Sequence, residues 1–403
     1  MRIPKNAATW IGLIIVILYG LPASAQDQSP ITTPKVDLVF GESIIFSAAI
    51  DTATQVNAID LVFKPRTTGR STVVPASIES DSTIVARYDI PPQEYIPAFS
   101  TIEYWFNIQF SDGTQEKSPV FTFEYEDTRF DWQHLDKDTQ YQISWVNGDL
   151  AFGQSVQDAM FLSFENYSKY LDLPVPDTLG IFIYPNPSAL QTALEITNAR
   201  WIAGHANPAE NIILVSIPSG FDQNLDIQRQ IPHELTHLRL YLYLGQNYSI
   251  LPAWYSEGLA SLSELYSLPE YWQILQAAWQ NNEMIPFSEL CQSIPSEANR
   301  AALAYAQSDS FVRFLYDEFG KVGLQELLDA YNQGYTCEDA IQTTFNIDLE
   351  TLEKDWYQQT FNSSILPQSF NTAITWIVLL LLLVAAPIGL TIFTMGKKKS
   401  SRR

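Results

Sequence analysis

Two histidines four residues apart constrain this chain more than any other feature. His233-Glu234-Leu235-Thr236-His237 lies inside Asp226–Glu264, DIQRQIPHELTHLRLYLYLGQNYSILPAWYSEGLASLSE. Residues i and i+4 share one face of a helix, so the spacing asks for a helix that presents both imidazoles together. Two imidazoles so placed can close on one Zn²⁺, and the Glu beside the first His then adjoins the open position where water binds. Nineteen residues separate His237 from Glu257, in Pro252-Ala253-Trp254-Tyr255-Ser256-Glu257-Gly258. Two His and one Glu satisfy a catalytic zinc's need for three protein ligands and one open site. A polar helix face with two hydrogen-bonded imidazoles is the competing reading. The chain has only 4 His in 403 residues, and Glu257 opens a second apolar helix at a workable distance.

HELTH followed by PAWYSEGLA resembles the gluzincin metallopeptidases, the clan of thermolysin-like enzymes and zinc aminopeptidases. Within that clan it is most similar to the peptidase MA-like group of bacterial surface proteins. The resemblance spans roughly Thr128–Phe361 and is strongest over HExxH and W-x-x-E-G. It implies one zinc per chain, held by His233, His237 and Glu257, with Glu234 as general base. Glu264, seven residues after Glu257 on the same helix face, matches the acid that orients a zinc-bound His in the aminopeptidase branch. An ordinary solvated Glu is the alternative. The thermolysin branch carries its acid four residues after the ligand Glu, where this chain has Ser261. Pro232 is a further departure. It predicts that the ligand helix begins or bends there, after a short segment at Asp226–Ile231. Tyr305 lies where the aminopeptidase branch carries a transition-state Tyr, although an aromatic there also fits core packing. The resemblance also implies that Gly204–Ser216 supplies a sheet edge for substrate. A plain core strand fits Asn211–Ser216 equally well, and His205 is a lesser contact candidate.

The chain ends suggest export. Arg2 and Lys5, the apolar Trp10–Tyr19 and Ala23-Ser24-Ala25 form a secretory signal over residues 1–25. Ala373–Met395 is a 23-residue, mostly apolar run without charge, followed by Lys397, Lys398, Lys399, Arg402 and Arg403. It is long enough to span a bilayer, and the positive-inside rule makes the tail at 396–403 cytoplasmic. The expected location is the cell membrane: single-pass, with an extracellular N-terminal ectodomain. Net charge is −22. Removing the signal's +2 and the tail's +5 leaves −29 for Gln26–Gly396, which excludes nucleic acid as a natural partner. Export permits a disulfide between Cys291 and Cys337; two buried thiols are the other arrangement.

In order, residues 26–34 read as disordered. Residues 35–126 alternate in short strands: Ser43–Ile50, Ala58–Lys64, Thr83–Tyr88, Glu103–Phe110 and Val120–Tyr125. Ser111-Asp112-Gly113 marks a hairpin turn. This suggests an all-β sandwich, immunoglobulin- or fibronectin-like in architecture. Asp127–Trp132 reads as the domain boundary, and residues 127–361 mix strands and helices and then turn almost wholly helical, as an α+β thermolysin-like domain would. Helices are expected at Ser155–Tyr170 and Pro187–Thr197, and strands at Tyr141–Trp145, Leu179–Tyr184 and Asn211–Ser216. Residues 362–372 link to the transmembrane helix at 373–395. The expected activity is zinc-dependent hydrolysis of a peptide or protein substrate at the outer membrane face. The alternative is a surface binding or adhesion protein that keeps the fold with little or no catalysis.

Overall fold

A computed structural model describes residues 30–51, 56–67, 69–79, 82–135, 140–194 and 204–362. The expected signal, membrane span and tail lie outside the described residues. Among the described residues, no helix is long and apolar enough to cross a membrane.

The N-terminal part is antiparallel β: β1 Ile31–Val39, β2 Ser43–Ile50, β3 Val56–Pro65, β4 Thr72–Ile78, β5 Thr83–Asp89, β6 Thr101–Phe110, β7 Gln115–Lys117 and β8 Phe121–Glu124. Strands β1-β2-β5 form one layer, and β3-β6 with β7 and β8 form the other. β4 switches between them, pairing β3 through Thr72–Ala76 and β5 through Ser77–Ile78. A corner strand of this kind joins the two sheets of a sandwich. Inward residues alternate along β2 and β6, so Ile44, Phe46, Tyr104, Phe106 and Ile108 fill one core. The turn at 111–113 forms: Gly113 takes a positive φ of 87°, and Asp112 Oδ1 accepts the Thr114 N–H at 2.9 Å. Disorder was expected through Pro34. Instead Ile31 and Thr32 already pair with Ile50 and Ala49, because Ile31 has a core to enter.

A second, five-stranded sheet follows: β9 Gln133–Leu135, β10 Tyr141–Trp145, β11 Leu179–Tyr184, β12 Gly204–Asn207 and β13 Ile212–Ser216, in the order β12-β13-β11-β10-β9. β10, β11 and β13 are parallel; β12 runs antiparallel to β13. Within Gly204–Ser216, where a sheet edge was expected, the edge is formed by Gly204–Asn207, and the core-strand alternative describes Ile212–Ser216. β13 is interior, all five of its residues are buried, and β12 is the outermost described strand. Helix α1, Leu150–Tyr167, starts earlier than the apolar spacing suggests, because the Asp149 side chain accepts the Phe152 N–H and caps it. Asn186 caps α2, Pro187–Ala193, in the same way.

Helix α3, Gln223–Leu244, carries the HExxH residues. Of the start or bend expected at Pro232, the start is corrected: the helix begins at Gln223 and runs through Pro232. α4 is Ala253–Ser263, α5 Glu270–Asn281, α6 Phe287–Leu290, α7 Ala298–Asn332, α8 Cys337–Phe345 and α9 Leu349–Tyr357. Gly320 interrupts α7 with φ 64° and ψ −169°, a conformation glycine adopts without Cβ strain. The helices share one core around Trp254, Leu259, Phe287, Phe311 and Trp356. A disulfide joins Cys291 to Cys337, 46 residues apart.

The sheet is buried on both faces. Ile181, Ile183, Ile213 and Val215 meet Ile231 and Leu235 of α3. Phe182, Tyr184, Ile212 and Leu214 meet Ala98 and Phe99 from the β-sandwich, with the Phe99 and Phe182 rings stacked at 3.6 Å. The segment expected to be a short boundary, Asp127–Trp132, is part of this joint. Asp127 is fully buried, pairs with Arg129 at 2.5 Å and accepts the Tyr184 hydroxyl at 3.0 Å.

Candidate metal centre

The α3 spacing turns both imidazoles toward α4. Glu257, on the second turn of α4, meets them: its Oε2 is 3.3 Å from His233 Nε2 and 3.5 Å from His237 Nε2. One ligand atom from each of the three residues lies within 4.8 Å of the other two. The other ring nitrogens are held from behind. His233 Nδ1 is 3.0 Å from Glu264 Oε1, and His237 Nδ1 is 3.1 Å from Ser256 Oγ. These contacts direct both Nε2 lone pairs into the same space, as metal-binding imidazoles require.

Glu257 Oε2 is buried, and no described donor makes a hydrogen bond to it. A buried carboxylate oxygen without a donor is costly, yet here it faces two imidazole nitrogens slightly beyond good hydrogen-bond range. A cation bound by all three removes the cost. The donor set of two imidazoles and one carboxylate fits zinc. Burial would raise the Glu257 carboxyl, but His237 and His233 outweigh it and hold the group well below the usual carboxylate range.

Glu234 is buried and lies beside the edge strand. A Cβ on Gly204 would fall 2.3 Å from Glu234 Oε1, so only glycine lets β12 come this close. Burial pushes the Glu234 carboxyl above its ordinary range, opposed by the two imidazoles. A cleft of about 550 Å³ opens over these groups, walled by His205 of β12, Tyr248, and Tyr271 and Tyr305 of the helical half. The Tyr305 ring lies 6.4 Å from that of His233. Burial, and then Glu257 and Glu234, push its phenol up, so it faces the cleft as a protonated donor at neutral pH. Desolvation by the cleft wall, and then the nearby His237 imidazole, hold the His205 imidazole below its usual value, although the residue keeps solvent exposure.

The structure thus gathers His233, Glu234, His237, Glu257, Glu264, Tyr305 and His205 around one cleft. Cys291 and Cys337 are not among its lining residues. One detail is corrected. Glu264 is not on the α4 helix face: it follows the last turn in extended geometry, φ −57° and ψ 134°, and reaches His233 from there. Sequence reasoning missed Ser256, whose only signal was its place beside Glu257. It also missed Tyr248, whose phenol burial pushes up to about 12 against a hydrogen bond to Ser256.

Residues 168–362, just under half the chain, match the family model described as Peptidase MA superfamily. No curated protein matches. Among solved structures, the chain is similar to an aminopeptidase N family protein from Idiomarina loihiensis, at 11% identity over 81% of this chain and 75% of that one, with TM-score 0.34. It is also similar to a purple acid phosphatase from yellow lupin seeds, at 10% identity, 46% and 34% coverage and TM-score 0.20. A myokine structure gives 10% identity, 24% and 97% coverage and TM-score 0.20. At these scores the structural likenesses carry no weight. The family match supports a Peptidase MA-type fold over these residues, and with it a peptidase hydrolase.

Proposed function

We propose that the protein is a zinc-dependent peptidase that hydrolyses peptide bonds at the outer face of a cell membrane. The observation that carries this reading is the convergence of His233 Nε2, His237 Nε2 and the undonated Glu257 Oε2 on one space. Zinc held there would act as a Lewis acid toward the scissile carbonyl and make water acidic enough to attack at neutral pH. The chain's own residues do the rest. Glu234, in the cleft beside the ligands, takes the proton from the attacking water and returns it to the leaving amine. Its burial suits a base that must also act as an acid. Tyr305 donates to the oxygen on which negative charge develops. Glu264 and Ser256 keep the two imidazoles in the tautomer that leaves Nε2 unprotonated. The membrane placement rests on the apolar run and basic tail of the sequence.

The test is metal content and cleavage of a generic peptide pool by the full chain in detergent. Zinc at one per chain, with cleavage lost on chelation and restored by zinc, is expected. A protein that binds no zinc, or that cleaves equally well after chelation, would overturn the reading.

A further inference from the structure

Helix α3 runs from Gln223 to Leu244 with Pro232 buried inside it. Proline has no N–H, so the Gln228 carbonyl, four residues earlier, loses its helical donor and is crowded by the ring. That carbonyl is nevertheless filled: the Leu265 N–H donates to it at 2.9 Å. Leu265 directly follows Glu264, the residue behind His233 Nδ1. The Leu265 side chain also packs against the cluster containing Ile227 and Ile231 of α3. After α4 ends at Ser263, the chain is therefore fastened to α3 one residue beyond the carboxylate that must point at the ligand. The missing donor and the supported ligand are neighbours in sequence, at 232 and 233.

We propose that Pro232 is a positioning residue for the metal centre. By vacating the Gln228 carbonyl it creates a dock for the Leu265 N–H, and the docked segment sets Glu264 against His233. Thr236 Oγ1 donates to the Pro232 carbonyl at 2.9 Å on the same turn. The inference rests on reading His233 as a metal ligand.

The experiment uses the full chain, comparing wild type, Pro232→Ala, Glu264→Gln and the double variant. Zinc affinity is measured by competition with a chromophoric chelator, and amide exchange is followed across 260–268. Pro232→Ala restores an N–H that claims the Gln228 carbonyl. Exchange at Leu265 should quicken, and zinc affinity should fall by about 3- to 10-fold, the range for one neutral hydrogen bond. In the Glu264→Gln background the same change should cost less than about twofold, because the group it positions is already impaired. Pro232→Val, which restores the N–H with a side chain of similar size, should repeat the result. Equal losses in both backgrounds, or unchanged Leu265 exchange, would overturn the proposal. Wild-type protein that binds no zinc would overturn the metal reading instead, while Leu265 exchange would still report on the dock.

Discussion

Gly204→Ala tests the placement of the general base without touching it. The backbone at Gly204 is not in the positive-φ region, so alanine is conformationally allowed there. Its Cβ, however, would lie 2.3 Å from Glu234 Oε1 and 2.7 Å from Cδ, whereas ordinary contact begins at 3.4 Å. Either the carboxylate or β12 must therefore move by about 1 Å, a displacement that can cost about 10²-fold when it misaligns a reacting group. Glu234 is not a ligand, so zinc affinity should change by less than about threefold while kcat falls about 10²-fold. The assay is steady-state cleavage of a fluorogenic peptide, paired with a zinc titration of the same preparation. Glu234→Gln sets the floor: general-base catalysis is typically worth about 10²–10⁴, and Gly204→Ala in that background should add little. A kcat within threefold of wild type would refute the reasoning, because it would mean that Glu234 can withdraw by 1 Å and still do its work.

Three further outcomes are expected. Glu257→Ala should abolish measurable zinc binding, whereas Glu264→Ala should weaken it about 10–100-fold; equal affinities in Glu257→Ala and wild type would show the site is misassigned. Ser256→Ala should cost less zinc affinity than Glu264→Ala, because a hydroxyl supports His237 where a charged carboxylate supports His233; chelator competition ranks the two. Reducing Cys291–Cys337 should lower stability by about 2–4 kcal/mol, read as a shift in the denaturation midpoint with and without reductant.

Much of the architecture was legible because its periods are simple. Ser43–Ile50, Tyr141–Trp145 and Leu179–Tyr184 announce themselves as strands, and the HExxH spacing announces a helix face. What escaped depends on partners distant in sequence. β12 reads Gly-His-Ala-Asn, with no apolar alternation, and exists because it pairs with β13. Pro232 looked like a helix boundary, since nothing local shows that Leu265 will satisfy the Gln228 carbonyl 37 residues away. Glu264 matched a helical spacing of seven, yet it reaches His233 from beyond the helix end. Asp127 looked like a linker residue because its partners, Arg129 and Tyr184, could not be paired by inspection.

The same limit governs what the β-sandwich is for. Its strand pattern alone suggests a detachable spacer. The runs Leu179–Tyr184 and Ile212–Ser216 say otherwise, because strands apolar at nearly every position need cover on both faces. Helix α3, which carries His233 and His237, covers one face. Ala98 and Phe99 from the sandwich cover the other, together with Leu190 and Ala193 of α2 and the rings of Phe130 and Trp132. Removing residues 35–125 would take Ala98 and the stacked Phe99 ring from this face and expose part of Phe182, while Phe130 and Trp132 stay against Tyr184. Burying a side chain of this size is worth about 1.5–3 kcal/mol, so losing the Phe99 stack on Phe182 is a sizeable part of the stability of a typical domain, about 5–15 kcal/mol. The truncated chain should therefore melt at a clearly lower temperature and lose cleavage even of small peptides as it unfolds. Phe99→Ala, which costs about 3–5 kcal/mol at a fully packed site, should lower the melting temperature with little change in kcat below it. A truncated chain that folds and cleaves small peptides at the wild-type rate would return the sandwich to the role of a spacer. It would also mean that α2 with Phe130 and Trp132 covers the second face of the sheet well enough.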